Sequence, residues 1–199
     1  MIDHIRSTLL EAKSALDSLI GDDVQLQNIA AAADMLAQSL SGKGRVFSCG
    51  NGGSMCDAMH LAEELSGRFR SDRPALAATA ISDPSYMSCV ANDYGYDRVF
   101  SRYIEAHGRA EDVLVAISTS GTSSSVISAA LAAKGAGMSV VALTGRTGSL
   151  LEQNADVCIC TPGGAFADRT QELHIKVMHI MIEQIERVVY PALHGLAMR

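Results

Sequence analysis

The sequence predicts a three-layer α/β/α sandwich with a central parallel sheet and an N-terminal helical hairpin. Three observations carry this reading. Short apolar runs rich in β-branched residues recur after Gly44, and they lack the polar alternation of a half-exposed strand, so both faces are covered. Stretches of helical periodicity separate these runs, as βα units require. Two further helical stretches precede the first run.

Taken in order, Ile5, Leu9, Ala12, Leu16, Leu19 and Ile20 recur at helical spacing until Gly21-Asp22-Asp23 interrupts them. Ile29, Ala32, Ala33, Leu36 and Leu40 resume the pattern up to Gly42. Residues 45–49 form the first strand and 54–68 a helix. A strand at 77–81 and helices at 84–91 and 97–107 follow, and this is the stretch with the weakest pattern. Strands at 112–117, 138–143 and 156–161 then alternate with helices at 123–136, 148–153 and 168–189. No internal repeat or low-complexity linker interrupts them. Residues 1–199 read as one domain: helices over 1–41, the α/β core with its last helix over 42–190, and a tail over 191–199.

Composition narrows the function classes. The 199 residues are 48% hydrophobic and 19% charged, which excludes a disordered chain and allows a core that needs no disulfide staple. A net charge of −6 without a dense Lys/Arg cluster argues against a nucleic-acid partner. The N-terminal Met1-Ile2-Asp3-His4-Ile5-Arg6 carries charges where a signal peptide needs an apolar segment, and no 18-residue apolar run exists. A soluble, cytoplasmic protein without a membrane partner is expected. The five Cys have no zinc-finger spacing. Cys158 and Cys160, on one face of a strand, read as buried, reduced thiols.

Two strand-to-helix turns have the composition of anion sites. In Cys49-Gly50-Asn51-Gly52-Gly53-Ser54, glycines allow positive φ and a close backbone approach, so N–H groups can converge on an anion. Met55 stands where a dinucleotide fingerprint needs its last Gly, and no Gly-Lys-Ser/Thr is present, so neither nucleotide motif is formed. A tight turn without a ligand is the plain alternative. The second turn, Ser118-Thr119-Ser120-Gly121-Thr122-Ser123-Ser124-Ser125, crowds hydroxyls at a helix N-terminus. An N-cap needs one hydroxyl; several beside free N–H groups and the positive end of the dipole suit a phosphomonoester.

An acid–base and metal-ligating set is spread over two helices. His60 and Glu64, four residues apart, share a face, as two ligands of one metal would. A surface His/Glu pair is the plain alternative. The last helix carries Gln171 and His179 among Ile175, Val177, Met178, Ile180, Met181 and Ile182, and polar groups in such surroundings need partners. Eight residues separate Gln171 from His179, about 12 Å along the axis. A shared site must therefore lie between them or draw on different subunits. Asp168 to Gln171 also fits a capping box.

These strings, with Asp57-Ala58-Met59-His60-Leu61-Ala62-Glu63-Glu64-Leu65, Ala91-Asn92-Asp93 and Asp168-Arg169-Thr170-Gln171-Glu172-Leu173-His174-Ile175-Lys176, closely resemble the phosphoheptose isomerase family of the SIS (sugar isomerase) superfamily. The likeness runs from the first helices to about Tyr190, leaving the tail 191–199 without a counterpart. It implies a cytoplasmic homotetramer with active sites at subunit interfaces. It also implies an aldose–ketose isomerase that converts sedoheptulose 7-phosphate to D-glycero-D-manno-heptose 7-phosphate on the way to surface-glycan heptose. By the same resemblance, Ser54, Ser118, Thr119, Ser120 and Ser123 hold phosphate, and Asn51, Gly52, Gly53, Asn92 and Asp93 line the sugar. Glu64 and His179 are the catalytic pair, and Glu64 and Gln171 also touch substrate. His60, Glu64, Gln171 and His179 are the ligands of one zinc per subunit. Thr122 departs from the Asn that relatives often carry after the loop glycine.

Two rival readings remain at this level. One is a non-catalytic SIS adaptor that binds the bacterial replication initiator, whose pattern lacks a Glu at the position of Glu64. The other is an isomerase for a different sugar phosphate, since pocket shape decides sugar length.

Overall fold

In the computed structural model, which describes residues 1–195, five parallel strands form one sheet in the order β2-β1-β3-β4-β5. The strands are β1 (Val46–Gly50), β2 (Ala78–Ala80), β3 (Val113–Ser118), β4 (Ser139–Thr144) and β5 (Val157–Cys160). Helices α1 (Ile2–Ile20) and α2 (Asp23–Ser41) precede the sheet, and α3 (Gly53–Ser66), α4 (Pro84–Tyr94) and α5 (Ser101–His107) follow its first strands. The second half contributes α6 (Ser124–Gly135), α7 (Leu150–Gln153) and α8 (Ala167–Val189), with 3-10 turns at Tyr96–Arg98 and Pro191–His194.

Strand pleating explains the three layers. Along β3, Val113, Val115 and Ile117 pack with α2, α3 and α8, while Leu114 and Ala116 pack with α5 and α6. In β4, Val141 and Leu143 face the first layer, and Val140 and Ala142 the second. Side chains of period 2 thus feed two cores, one on each side of the sheet. This is why the central strands read as continuous apolar runs. At the opposite end from the candidate loops, the buried Asp112 carboxylate accepts from the backbone N–H groups of Arg45 (2.8 Å) and Arg109 (3.0 Å) and pairs with the Arg45 guanidinium. It ties the starts of β1 and β3 together.

The expected sandwich and helical hairpin are both present. Asp22 caps α2 by accepting from Val24 and Gln25 N–H at 3.1 Å each, so the predicted interruption is a helix start. The predicted helix over 97–107 is not continuous. A 3-10 turn at Tyr96–Arg98 gives way to α5, because adjacent Val99 and Phe100 are both driven fully into the core where the chain reorients. The preceding helix is longer than predicted, reaching Tyr94, and Gly95 at φ +86° ends it. Asn92 and Asp93 therefore lie in its last turn. No capping box forms at 168–171: α8 begins at Ala167 after Phe166, without a side-chain cap. Cys158 and Cys160 are free but only half-buried, flanking the inward Ile159; burial still pushes the Cys158 thiol up to about 12. In the tail, residues 191–194 form the second 3-10 turn, and 196–199 lie outside the described residues.

Candidate active site

The two Gly/Ser-rich turns stand at the carboxyl ends of adjacent parallel strands β1 and β3, the place where open α/β sheets take ligands. Gly52 adopts φ +56° with open space where a Cβ would be, so the turn into α3 has its backbone exposed. Gly50 is required by proximity: a Cβ there would meet Ser54 backbone at 2.6 Å. Ser54, almost fully buried, donates its N–H to the Asn51 carbonyl at 3.0 Å. The Asn51 amide is fixed from both sides, donating to Ser125 Oγ at 3.0 Å and accepting from Tyr96 OH at 2.9 Å.

The second turn is a ring of hydroxyls. Ser118 Oγ donates to Ser123 Oγ at 3.1 Å and lies 3.4 Å from Ser120 Oγ, which accepts from Thr122 N–H at 3.2 Å and Thr122 Oγ1 at 3.0 Å. Ser123 occupies the N-cap of α6 without a side-chain cap bond. The Val126 N–H turns back to the Ser123 carbonyl at 3.1 Å, and the N–H groups of Ser124 and Ser125 and the dipole are left to an anion. Gly121, at φ +64°, lets the turn fold against Ser149. Thr119 and Ser120 also border a cavity of about 350 Å³ that extends past Arg146 and Gly163 to Thr170 at the start of α8.

The imidazole–carboxylate set assembles where α3 and α8 run side by side. His60 Nε2 lies 3.2 Å from Glu64 Oε1, His179 Nε2 lies 3.5 Å from Glu64 Oε2, and the two imidazole nitrogens are 3.3 Å apart. One ligand atom from each of His60, Glu64 and His179 lies within 4.8 Å of the others. Glu64 Oε2 is buried without a hydrogen-bond partner. Two facing imidazole nitrogens and an unsatisfied carboxylate oxygen have the nitrogen and oxygen donors that a borderline cation such as zinc accepts. Phe69 stacks on the His179 ring with centroids 5.7 Å apart, closing that side. Asp57, one turn before His60, has a buried unpartnered Oδ2, and burial raises its carboxyl to about 6 against the pull of His60.

Gln171 stands apart from this trio. A Cβ at Gly53 would lie 2.1 Å from its Nε2, so its amide rests on the first residue of α3, two turns before His60. Glycine at position 53 is what lets α8 approach there. Asn92 donates to Asp93 Oδ1 at 2.7 Å on an exposed surface. The hydrogen-bonded link from that segment to the Asn51 turn is Tyr96, which the sequence pattern does not single out. Asp57 and Arg73 also escape it. The i,i+3 spacing of Asp57 and His60 is a usable signal, whereas Arg73 in Arg70-Ser71-Asp72-Arg73 has none.

The fold and these two turns define a class, the SIS domain, whose family model matches residues 11–145. Phosphoheptose isomerases of Pectobacterium atrosepticum and Aeromonas salmonicida are each 55% identical to this chain, over 93% of it and 96% of the former and over 92% of it and 95% of the latter. Among solved structures, phosphoheptose isomerase GmhA from Neisseria gonorrhoeae superposes with a TM-score of 0.86 at 38% identity, covering 94% of this chain and 98% of its own. The Francisella tularensis phosphoheptose isomerase gives 0.87 at 30% identity, with the same coverages. The chain belongs to the phosphoheptose isomerase family.

Proposed function

We propose that this protein is a phosphoheptose isomerase that converts sedoheptulose 7-phosphate to D-glycero-D-manno-heptose 7-phosphate, in heptose biosynthesis for surface glycans. Family membership supports the substrate. The observation that carries the chemistry is the Glu64 carboxylate held between two imidazoles, on the helix that starts at the Asn51-Gly52-Gly53 turn.

Moving the carbonyl from C2 to C1 removes a proton at C1, passes through an enediol and returns a proton to C2. In this reading Glu64 carries that proton, and His179 exchanges protons with the oxygens. Ser54, Ser118, Thr119, Ser120 and Ser123 hold the phosphate with the α6 N-terminus. Asn51, Gly52, Gly53, Asn92, Asp93 and Gln171 line the sugar, with the Asn51 amide oriented by Tyr96 and Ser125. His60, Glu64 and His179 hold one zinc; the family resemblance adds Gln171, which stands apart from this trio within one chain and would complete the set only from another subunit. When bound, zinc polarises an oxygen of the substrate or clamps the two helices. The enzyme works in the cytoplasm as a homotetramer, its active sites completed at subunit interfaces, with residues 1–199 as one SIS domain.

Presence of Glu64 favours this reading over the adaptor. Glu64→Gln is expected to lower turnover of sedoheptulose 7-phosphate by at least about a thousandfold while phosphate binding persists. Near-normal kcat in the Glu64→Gln variant removes Glu64 from the reaction. Metal analysis of purified preparations is expected to find zinc in the wild type and little in His60→Ala; equal content in both contradicts the ligand assignment.

A further inference from the structure

Beyond the catalytic set, the loop after α3 hides a charged side chain. The Arg73 guanidinium is fully buried and makes five hydrogen bonds. Nε donates to Glu186 Oε1 at 2.8 Å. Nη1 donates to the carbonyls of Leu65 (2.8 Å), Pro74 (3.2 Å) and Gly67 (3.4 Å), and Nη2 to the carbonyl of Glu64 itself at 2.7 Å. Glu186 is 2% exposed.

The placement matters more than the count. The carbonyls of the last turn of α3 have no partner within the helix, and a cation there complements the negative end of the dipole. Arg73 takes two of them, including the peptide that carries Glu64. Glu186 follows His179 by seven residues, nearly two full turns, so both present the same side of α8 toward α3. One guanidinium therefore bolts the backbone of Glu64 to the helix face that carries His179. The loop it closes also brings Phe69 against the His179 ring.

A buried ion pair is a poor route to stability, because desolvating two charges offsets most of their attraction and an apolar pair of similar volume does as well. What the pair adds is a fixed distance between two helices. We propose that Arg73, with Glu186, is a positioning residue for the isomerisation: it holds Glu64 and His179 at their working separation. This rests on the assignment of Glu64 and His179 to the reaction. The proposed phosphate contacts lie at the starts of α3 and α6, away from this clamp, so most of the groups that bind substrate do not depend on it.

The test compares Arg73→Lys, the apolar double variant Arg73→Met/Glu186→Leu, and Glu64→Gln, measuring kcat, KM for sedoheptulose 7-phosphate and thermal midpoint. The double variant leaves no uncompensated buried charge but strips the Glu64 and Gly67 carbonyls of their donor, so its midpoint is expected to fall modestly and kcat is compared well below it. Its kcat is expected to fall at least about tenfold with KM within about twofold, as misplacement of reacting groups by a fraction of an ångström does. A wild-type kcat in the folded double variant overturns the proposal, because the pair then serves stability alone. Arg73→Lys keeps the charge but loses the fork that reaches both carbonyls, and covers failure of the double variant to fold. An intermediate kcat in Arg73→Lys supports the clamp, and a wild-type kcat overturns it. An active Glu64→Gln overturns the catalytic assignment and this inference with it. An inactive Glu64→Gln beside unimpaired clamp variants sinks the clamp alone.

Discussion

His174 sits in the middle of α8 with no exposed surface, and neither ring nitrogen makes a well-formed hydrogen bond. Burial lowers it from 6.5 to about 4, against a weaker opposing pull from the Thr144 backbone. The folded state thus binds fewer protons than the unfolded chain between those values. Stability from this group is present above pH 6.5 and is lost as pH falls toward 4, a difference of about 3 kcal/mol at most. Asp57 works in the opposite sense. Its carboxyl, raised to about 6, favours the folded state below the unfolded value near 3.8 and loses that contribution as pH rises through 6. His174→Leu is therefore expected to remove one of two opposed slopes, keeping stability near pH 4.5 that the wild type loses. Urea unfolding at about pH 4.5 and about pH 7 checks this; parallel losses in both proteins contradict it. Helical spacing marks His60 and Glu64 as a pair, whereas His179, 119 positions from His60, is joined to them only by the family resemblance. Arg73 and Tyr96, whose partners lie 113 and 45 positions away, have neither a local pattern nor a place in the motifs of that resemblance.

At the scale of elements, the close approach of α3 and α8 makes the site. Contacts run in order along the two helices, Gln171 on Gly53 and then His179 on His60 and Glu64, and end with Glu186 on Arg73 in the loop beyond α3. Gly53→Ala places a methyl against the flexible end of Gln171, which can yield. Gly50→Ala drives a Cβ into the backbone of Ser54, which cannot. Gly53→Ala is expected to raise KM several-fold while the fold persists, and Gly50→Ala to destabilise by about 2 kcal/mol or more. Thermal unfolding and steady-state kinetics check the pair, and an unaltered midpoint in Gly50→Ala contradicts the packing account. The central strands were legible because both faces of each are covered. Around Tyr96 to Phe100, burial of two consecutive side chains broke a helix that periodicity alone had joined.

For the whole molecule, the first helix carries more exposed large apolar side chains than any other element among the described residues. Of its residues only Leu19 is buried, while Ile2, Ile5, Leu9, Leu10 and Ile20 are exposed. The periodic face that predicted this helix packs on the core at Leu16 and Leu19 but is left uncovered at Ile5 and Leu9, consistent with the proposed homotetramer. Sedimentation of the wild type is expected to give about four times the 21.0 kDa chain mass, and Ile5→Glu/Leu9→Glu to give smaller species. A monomeric wild type contradicts the interface-site reading. The net charge of −6 proved silent about the ligand, since hydroxyls, N–H groups and a helix end can hold phosphate without a basic patch. No helix among the described residues is long and apolar enough to cross a membrane. The central claim is the reaction itself, and the most direct measurement is incubation of the purified wild-type protein with sedoheptulose 7-phosphate while aldose formation is followed. The account predicts accumulation of D-glycero-D-manno-heptose 7-phosphate to equilibrium; a folded, zinc-supplied protein that leaves the ketose unchanged contradicts it.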